Sequence, residues 1–375
     1  MSERRSGVAL ADRVLIIRLG AMGDVVRTLP AVSLLRTIYP GAHLAWLVEP
    51  GAAGVVEASG TVDEVLSFPR EELMASLGAG DVSGFVRRLG AFTRRLRDRR
   101  FELVLDFHGI LKSGLLSRLS GAPLRHGFGR GVAREFSDLF ANRHVQLSDA
   151  HVSRFDRNAA LVAALSPCQR SPQAPMLHAS ALAIARLTAR LRGTGWERSK
   201  GFVLIHPGSS AGASFKRYPP AAWVQVAEHL AGDGLEVWVT CGPNQSERNL
   251  KEEIVRGAGG AAVPAPETRS FDDLLVLLGR AAVFASSDSG PLHAASLAGV
   301  PVVQLLGPTD PVFNAPWNAT PARRLHYSLP CSPCRRGCGD PACMRAIAPT
   351  RVAEAIVELA RRGSTPANPV VEGRA

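Results

Sequence analysis

One local pattern, met in both halves of the 375-residue chain, limits what it can fold into. A short apolar run gives way to a turn of small and polar residues, and the turn gives way to a helix. The fullest copy runs from Ala281 to Ala285, through Ser286-Ser287-Asp288-Ser289-Gly290, to Pro291, which can open a helix without losing a needed N–H. Leu292, Ala295 and Ala298 then share one helix face, and Gly299 stops it. Such a turn gathers free backbone N–H groups at the positive end of a helix dipole, which suits a phosphate. An ordinary βα turn with an Asp cap reads equally well, because the spacing is that of neither a P-loop nor a dinucleotide fingerprint.

The first half opens on the same pattern. Arg13 to Leu19 is an aliphatic strand, Gly20 to Asp24 a tight turn, and Thr28-Leu29-Pro30 a cap with an early helical proline. Leu34, Leu35 and Ile38 continue an apolar face until Pro40-Gly41, and His43 to Val48 is the next strand. This is the start of a doubly wound sheet, in which ligands gather at the carboxyl ends of the strands. Asp24 lies at such an end, where a helix N-cap is its plainer role. Glu64 to Phe68 reads as a short strand, and a helix from about Val82 to Arg99 is basic on one side, most simply as a solvated face and more sharply as a membrane-facing one.

Phe101 to Phe107 is a further strand ending at Asp106 and His108, and Gly109 to Leu115 turns into a helix. Between Arg118 and Arg143, Arg125, His126, Arg130 and Arg134 are spread over a Gly-punctuated segment, as loop cations that grip an anionic ligand would be. A helix covers His151 to Leu165, and Ser166 to Pro175 reads as an interdomain linker. The second half repeats the plan. A helix from about Ala181 to Arg192 precedes the strand Phe202 to Ile205, the turn His206-Pro207-Gly208-Ser209-Ser210 and Lys216. Helix Pro220 to Ala231, strand Glu236 to Thr240, a turn at Gly242 to Glu247 with its helix, helix Phe271 to Leu278 and strand Pro301 to Leu306 complete it. Each half is therefore expected to be an independent α/β sheet, with a cleft between them.

Composition narrows the partners. With 44 Lys and Arg against 33 Asp and Glu, the net charge is +11, which favours an anionic partner. No Cys/His finger or aromatic-rich RNA-binding motif is present, and aromatics are only 6%, so nucleic acid is set aside in favour of a phosphorylated small donor or an anionic lipid surface. No apolar run is long enough to span a membrane, and Asp12 cuts short the apolar stretch near the start, so the protein is expected to be cytoplasmic. Cys168 and Cys241 stand alone, as buried thiols do. Cys331, Cys334, Cys338 and Cys343 could ligate one structural zinc or stay reduced, since only one pair has the regular knuckle spacing.

Several motifs in a fixed order carry a resemblance that covers about residues 13 to 360. They are Arg18-Leu19-Gly20-Ala21-Met22-Gly23-Asp24-Val25-Val26 with Leu29-Pro30-Ala31, His206-Pro207-Gly208-Ser209 with Lys216 and Trp223, Asp288-Ser289-Gly290-Pro291-Leu292-His293, and Gly307-Pro308-Thr309-Asp310-Pro311, joined by Cys331-Ser332-Pro333-Cys334. Together they resemble the glycosyltransferase family 9 heptosyltransferases of lipopolysaccharide core synthesis. Asp106-Phe107-His108-Gly109-Ile110-Leu111-Lys112-Ser113 and Arg125-His126-Gly127 look most like the enzymes that add the first heptose to Kdo-lipid A, which usually carry Gln where His108 stands.

The resemblance implies a GT-B fold, two Rossmann-like doubly wound domains facing a central cleft. It divides the chain into an acceptor-binding domain (1–175), a nucleotide-sugar-binding domain (176–348) and a C-terminal helix returning to the first domain, with a tail (349–375). It implies inverting transfer of heptose from ADP-L-glycero-D-manno-heptose to an anionic Kdo and lipid A acceptor, without an obligatory metal, in the cytoplasm or peripherally at the inner membrane. Inversion needs one base and a cationic or N–H-rich site for the departing diphosphate. Asp24 would be the base; Ser209, Ser210, Lys216, Asp288, Ser289, Gly290 and His293 would line the donor, and Glu247 would meet its ribose. Lys112, Arg125, Arg130 and Arg134 would meet the acceptor. Two other readings remain at this stage: a related transferase with another nucleotide sugar or a later core acceptor, and a non-catalytic nucleotide- or glycan-binding protein of the same fold.

Overall fold

A computed structural model of the chain describes residues 11–166, 171–191, 201–334 and 337–362. The chain divides into two compact units, Met1–Pro175 and Met176–Ala375. The first holds a sheet of β1 (Arg13–Ile17), β2 (His43–Val48), β3 (Glu64–Ser67), β4 (Leu103–Asp106), β5 (Leu124–Phe128) and β6 (Arg143–Val145), in the order β3-β2-β1-β4-β5-β6. The second holds β7 (Phe202–His206), β8 (Val237–Val239), β9 (Val263–Pro264), β10 (Ala281–Ser287), β11 (Val302–Leu306) and β12 (Ala322–His326), in the order β12-β11-β10-β7-β8-β9. Every described pairing is parallel.

Counted from the first strand of each unit, the two orders are one and the same, 3-2-1-4-5-6. This is the doubly wound arrangement, whose winding reverses between its first and fourth strands and opens a crevice at their carboxyl ends. The reversals fall between β1 and β4 in the first unit, and between β7 and β10 in the second. Register sets Ile17 beside Asp106, and His206 beside Ser286, so the turns after these four strands are neighbours in pairs.

Central strands are apolar from end to end because both faces are covered. Val14 to Ile17 and Phe202 to Ile205 are buried accordingly. The first core joins Leu15, Ile17 and Leu47 to Phe92 and Leu96 of the helix Val82–Asp98. That helix starts where Asp81 accepts from Gly84 N at 2.7 Å, a side-chain cap of ordinary kind. The second core joins Val203 and Ile205 to Trp223, Val226 and Leu230 of the helix Pro220–Gly232.

Three expectations change. The Gly-punctuated segment after Arg118 contains β5 and β6, which escape a pattern reading because Arg125, His126 and Gly127 interrupt the apolar run. The helix expected over 151–165 is Arg154–Ala163, begun by Ser153 accepting from Asp156 N at 3.1 Å. The C-terminal helix, expected to return to the first domain, is packed into the second: Pro349–Arg362 buries Val352, Ile356 and Leu359 in the same core as Trp223. Its apolar residues recur at helical spacing and meet the face of Pro220–Gly232, which satisfies the stripe on the spot. Of the expected linker, residues 167–170, Cys168 among them, lie outside the described residues. Among the described residues no helix is long and apolar enough to cross a membrane.

Candidate active site

In the first unit the turn after β1 becomes a short helix, Met22–Val26, that holds Asp24 over the strand end. Its carboxylate is ringed by guanidinium groups: Oδ2 pairs with Arg18 Nη2, and Oδ1 lies 2.7 Å from Arg27 Nη2 and 3.6 Å from Arg154 Nη1. Arg18 in turn donates from Nη1 to the Phe107 carbonyl at 3.0 Å, tying the cluster to the end of β4. Asn158 Nδ2 donates to the Arg27 carbonyl at 3.1 Å and to Thr28 Oγ1 at 3.0 Å, which docks the helix carrying Arg154 and Arg157. Arg157 lies over the Phe128 ring at 5.3 Å.

Burial alone would raise the Asp24 pKa, but the charges of Arg18, Arg27 and Arg154 overcome it and hold the carboxyl well below the usual carboxylate range. Burial acts unopposed enough on the cations to lower Arg18, and to bring Arg157 down to about 10. The group as a whole carries more positive than negative charge, an arrangement that invites an anion. Next to it, at the end of β4, burial pushes Asp106 up to about 6 although it accepts from His108 N at 2.9 Å, Gly109 N at 3.1 Å and Ser113 Oγ at 2.8 Å. His108 is lowered to about 3, by burial first and by Arg18 next, so it is a neutral imidazole at physiological pH.

The raised Asp106 pKa makes a stability prediction. Free aspartate titrates near 3.8, so between about pH 4 and pH 6 the folded state holds a proton that the unfolded chain has lost, and stability falls as pH rises through that window. Asp106→Asn removes the contribution while keeping an acceptor for the two N–H groups. Its melting temperature, relative to wild type, should therefore rise from pH 4 to pH 7; a difference that stays flat or falls would contradict this assignment.

The expected acceptor cations are placed unevenly. Lys112 Nζ pairs with Glu49 Oε1 at 2.8 Å and lies 5.6 Å from the centre of the Phe68 ring, within the crevice region of the first sheet. Arg130 and Arg134 are exposed, the former 3.5 Å from Asp138. Arg134 follows the turn by donating its backbone N–H to the Gly109 carbonyl at 2.9 Å. Arg125 stands apart: in β5 it is level with Val104 rather than with the strand ends, and it donates to the carbonyls of Phe140 at 2.9 Å and Ala122 at 2.8 Å. Its guanidinium holds chain segments together.

In the second unit the expected donor residues converge. Lys216, ending the 3-10 turn Ala211–Lys216, places Nζ 2.9 Å from Asp288 Oδ2, and His293 Nε2 is 3.2 Å from Asp288 Oδ1. Ser289 caps the helix Gly290–Leu297 by accepting from Leu292 N at 3.3 Å, and its Oγ is 3.0 Å from Ser286 Oγ. The turn after β7 is braced by Arg217, whose Nε donates to Ser209 Oγ at 3.1 Å, while Ser209 Oγ donates to the Ala213 carbonyl at 2.9 Å. Ser210 beside it is exposed. Glu247, 5% exposed, accepts from Gly242 N at 2.6 Å. A Cβ placed on Gly208 would lie 2.5 Å from Glu247 Cδ, and one on Gly242 2.5 Å from Oε2, so this carboxylate fills the space between two turns.

The four clustered cysteines differ in exposure. Cys331 and Cys338 are exposed and Cys343 is buried against Gly307, where an added Cβ would stand 2.7 Å from its Sγ. Among the described residues no group of three or more His, Cys, Asp or Glu side chains could hold an ion.

Sequence reasoning missed the partners rather than the centres. Arg18, Arg27, Arg154 and Arg157 around Asp24, and Arg217 beside Ser209, were given no role. Arg18 alone carried a signal, as the residue that directly follows β1 at the strand end.

Comparison with known proteins gives these observations a setting. The pattern of Glycosyltransferase family 9 (heptosyltransferase) matches residues 89–340. Lipopolysaccharide heptosyltransferase 1 of Pseudomonas aeruginosa is 29% identical over 328 residues, 86% of either chain. The Escherichia coli K12 protein of the same name is 25% identical over 301 residues, 80% of this chain and 89% of that one. Among solved structures, the E. coli heptosyltransferase WaaC with ADP matches with a TM-score of 0.72 at 22% identity, over 92% of this chain and 99% of that one. The architecture is that of the GT-B heptosyltransferase structures.

Proposed function

The chain belongs to glycosyltransferase family 9, the heptosyltransferases, and on that footing we propose that it moves heptose, with inversion, from ADP-L-glycero-D-manno-heptose to a Kdo-bearing inner-core lipopolysaccharide acceptor at the cytoplasmic face of the inner membrane. The observation that carries the reading is Asp24, an ionised carboxylate set among arginines at the winding reversal of the first sheet.

In this scheme the acceptor hydroxyl attacks the anomeric carbon of heptose from the face opposite the diphosphate. The new C–O bond forms, the bond to the diphosphate oxygen breaks with its electron pair, and the hydroxyl proton passes to Asp24. A carboxylate held so far below its usual range is always ready to receive a proton but binds one weakly. Transfer is therefore late, when the attacking oxygen has become strongly acidic. The anionic groups of a Kdo acceptor also compete with Asp24 for the surrounding guanidinium groups, which raises the basicity of Asp24 as the acceptor settles.

On the second unit, Lys216 supplies a point charge, and the backbone N–H groups of Ser289 and Gly290 supply donors for the leaving diphosphate, since Pro291 has none and that of Leu292 is taken by Ser289 Oγ. Asp288 holds the ammonium in place through the pair at 2.9 Å until the diphosphate competes for it. The charge that a metal would neutralise in other transferases is here met by side chains, so transfer is expected to survive dialysis against a chelator with its rate unchanged; a rate restored only by adding a divalent cation would refute this part.

The deciding experiment incubates the purified full chain with ADP-heptose and Kdo-lipid A and weighs the product. A mass gain of one heptose with release of ADP is expected. Acceptor returned unmodified, with donor intact, would overturn the reading.

A further inference from the structure

We propose that the surface formed by the helix Leu111–Leu119 and the 3-10 turn Ser137–Phe140 docks on the anionic surface of a lipid bilayer. Four large apolar side chains are exposed there: Leu111, Leu115, Phe136 at 77% and Leu139 at 69%. The two elements are joined, since Leu111 N donates to Glu135 Oε2 at 3.3 Å and a Cβ on Gly114 would meet Phe140 Cδ2 at 2.9 Å. Leu111, Leu115 and Arg118 fall on one helix face, and all three are exposed.

The backbone at Phe136 is unusual. Glu135 and Phe136 both have positive φ, 53° and 59°, a conformation that costs a bulky residue free energy. The Phe136 ring stands in solvent beside Leu139, so the exposed apolar side chains form a patch rather than a lone residue.

Charge complementarity selects the occupant. Exposed Arg118, Arg130 and Arg134 border the apolar side chains and outnumber the carboxylates there, Asp138, which pairs with Arg130 at 3.5 Å, and Glu135, which accepts from Leu111 N; neither Arg118 nor Arg134 has an ion-pair partner among the described residues. Apolar side chains that can sink to the acyl boundary, within a border of arginines that meets phosphate headgroups, are the two halves of interfacial membrane binding. The place suits the reaction. The same helix follows the β4 end at His108 and Gly109, so docking brings lipid-linked acceptors to the unit that carries Asp24. The proposal rests on the reading of a lipid-linked acceptor only for its purpose.

The test is co-sedimentation of the full chain with vesicles of phosphatidylcholine alone, or of phosphatidylcholine with phosphatidylglycerol, with neither donor nor acceptor present. Wild type should bind the phosphatidylglycerol vesicles, and less so as salt is raised. Phe136→Asn with Leu139→Gln should reduce that partition by about tenfold or more. Asn tolerates positive φ and both side chains are exposed, so the melting temperature should hold. Leu182→Gln, changing an exposed leucine of the second unit, should leave partition unaltered. Equal binding to both vesicle types, wild-type partition in the double variant, or equal loss in Leu182→Gln overturns the proposal. So does concentration-dependent self-association without vesicle binding, which would make the face a contact between copies. Transfer to a delipidated acceptor, assayed separately, should be unchanged in the double variant; docking and catalysis can thus fail independently.

Discussion

Asp24→Asn should lower kcat by about 10²–10⁴-fold, the usual contribution of a positioned general base, and leave ADP-heptose affinity within about twofold of wild type. The amide keeps the carboxylate's shape but cannot take a proton, and a base acts in the transition state rather than in donor capture. The substitution also strips the counter-charge from Arg18 and Arg27, both buried, so the variant should melt earlier. Donor binding measured well below that transition separates the two effects. The residual rate should climb with pH as hydroxide replaces the missing base, a trend that mere destabilisation does not produce. Near wild-type turnover would remove Asp24 from the reaction.

Lys216→Ala should reduce kcat/KM for the donor by about 10–100-fold, what a charged hydrogen bond to a diphosphate is worth. Donor affinity and turnover should fall together, because the ammonium meets the diphosphate before and during its departure. The substitution leaves Asp288 with His293 as its remaining described ion-pair partner. Lys216→Gln, which retains a donor to Asp288 without the charge, guards against loss of the fold. If both variants keep wild-type donor affinity and rate, the cation at the diphosphate lies elsewhere.

How much of this was legible in the residues follows from what each signal depends on. The apolar runs at Val14–Ile17, Phe202–Ile205 and Val283–Ala285 depend only on burial between helix layers, and they read as strands because nothing polar interrupts them. The turns at Asp24, Ser209 and Asp288 follow such strands directly, so they could be found as strand ends before any topology was known. Strand β5 was not legible: its Arg125 is satisfied by the carbonyls of Phe140 and Ala122, contacts that exist only once the sheet is assembled. The ring around Asp24 was hidden for the same reason. Arg154 reaches it from a helix far along the chain, docked there by Asn158, and no local spacing announces that. The destination of the last helix was taken from family likeness, whereas its own apolar stripe pointed to the nearest helix face with room for it.

Glu247 has a consequence for how this protein can vary. Its carboxylate occupies the volume that side chains at Gly208 and Gly242 would need, and it is fastened there by the Gly242 amide. A methyl group on either glycine would require the far end of this side chain to swing aside, and with it the bond from the Gly242 amide to be broken or re-formed. A change at any one of the three positions is therefore felt at the other two, through one carboxylate rather than through the backbone.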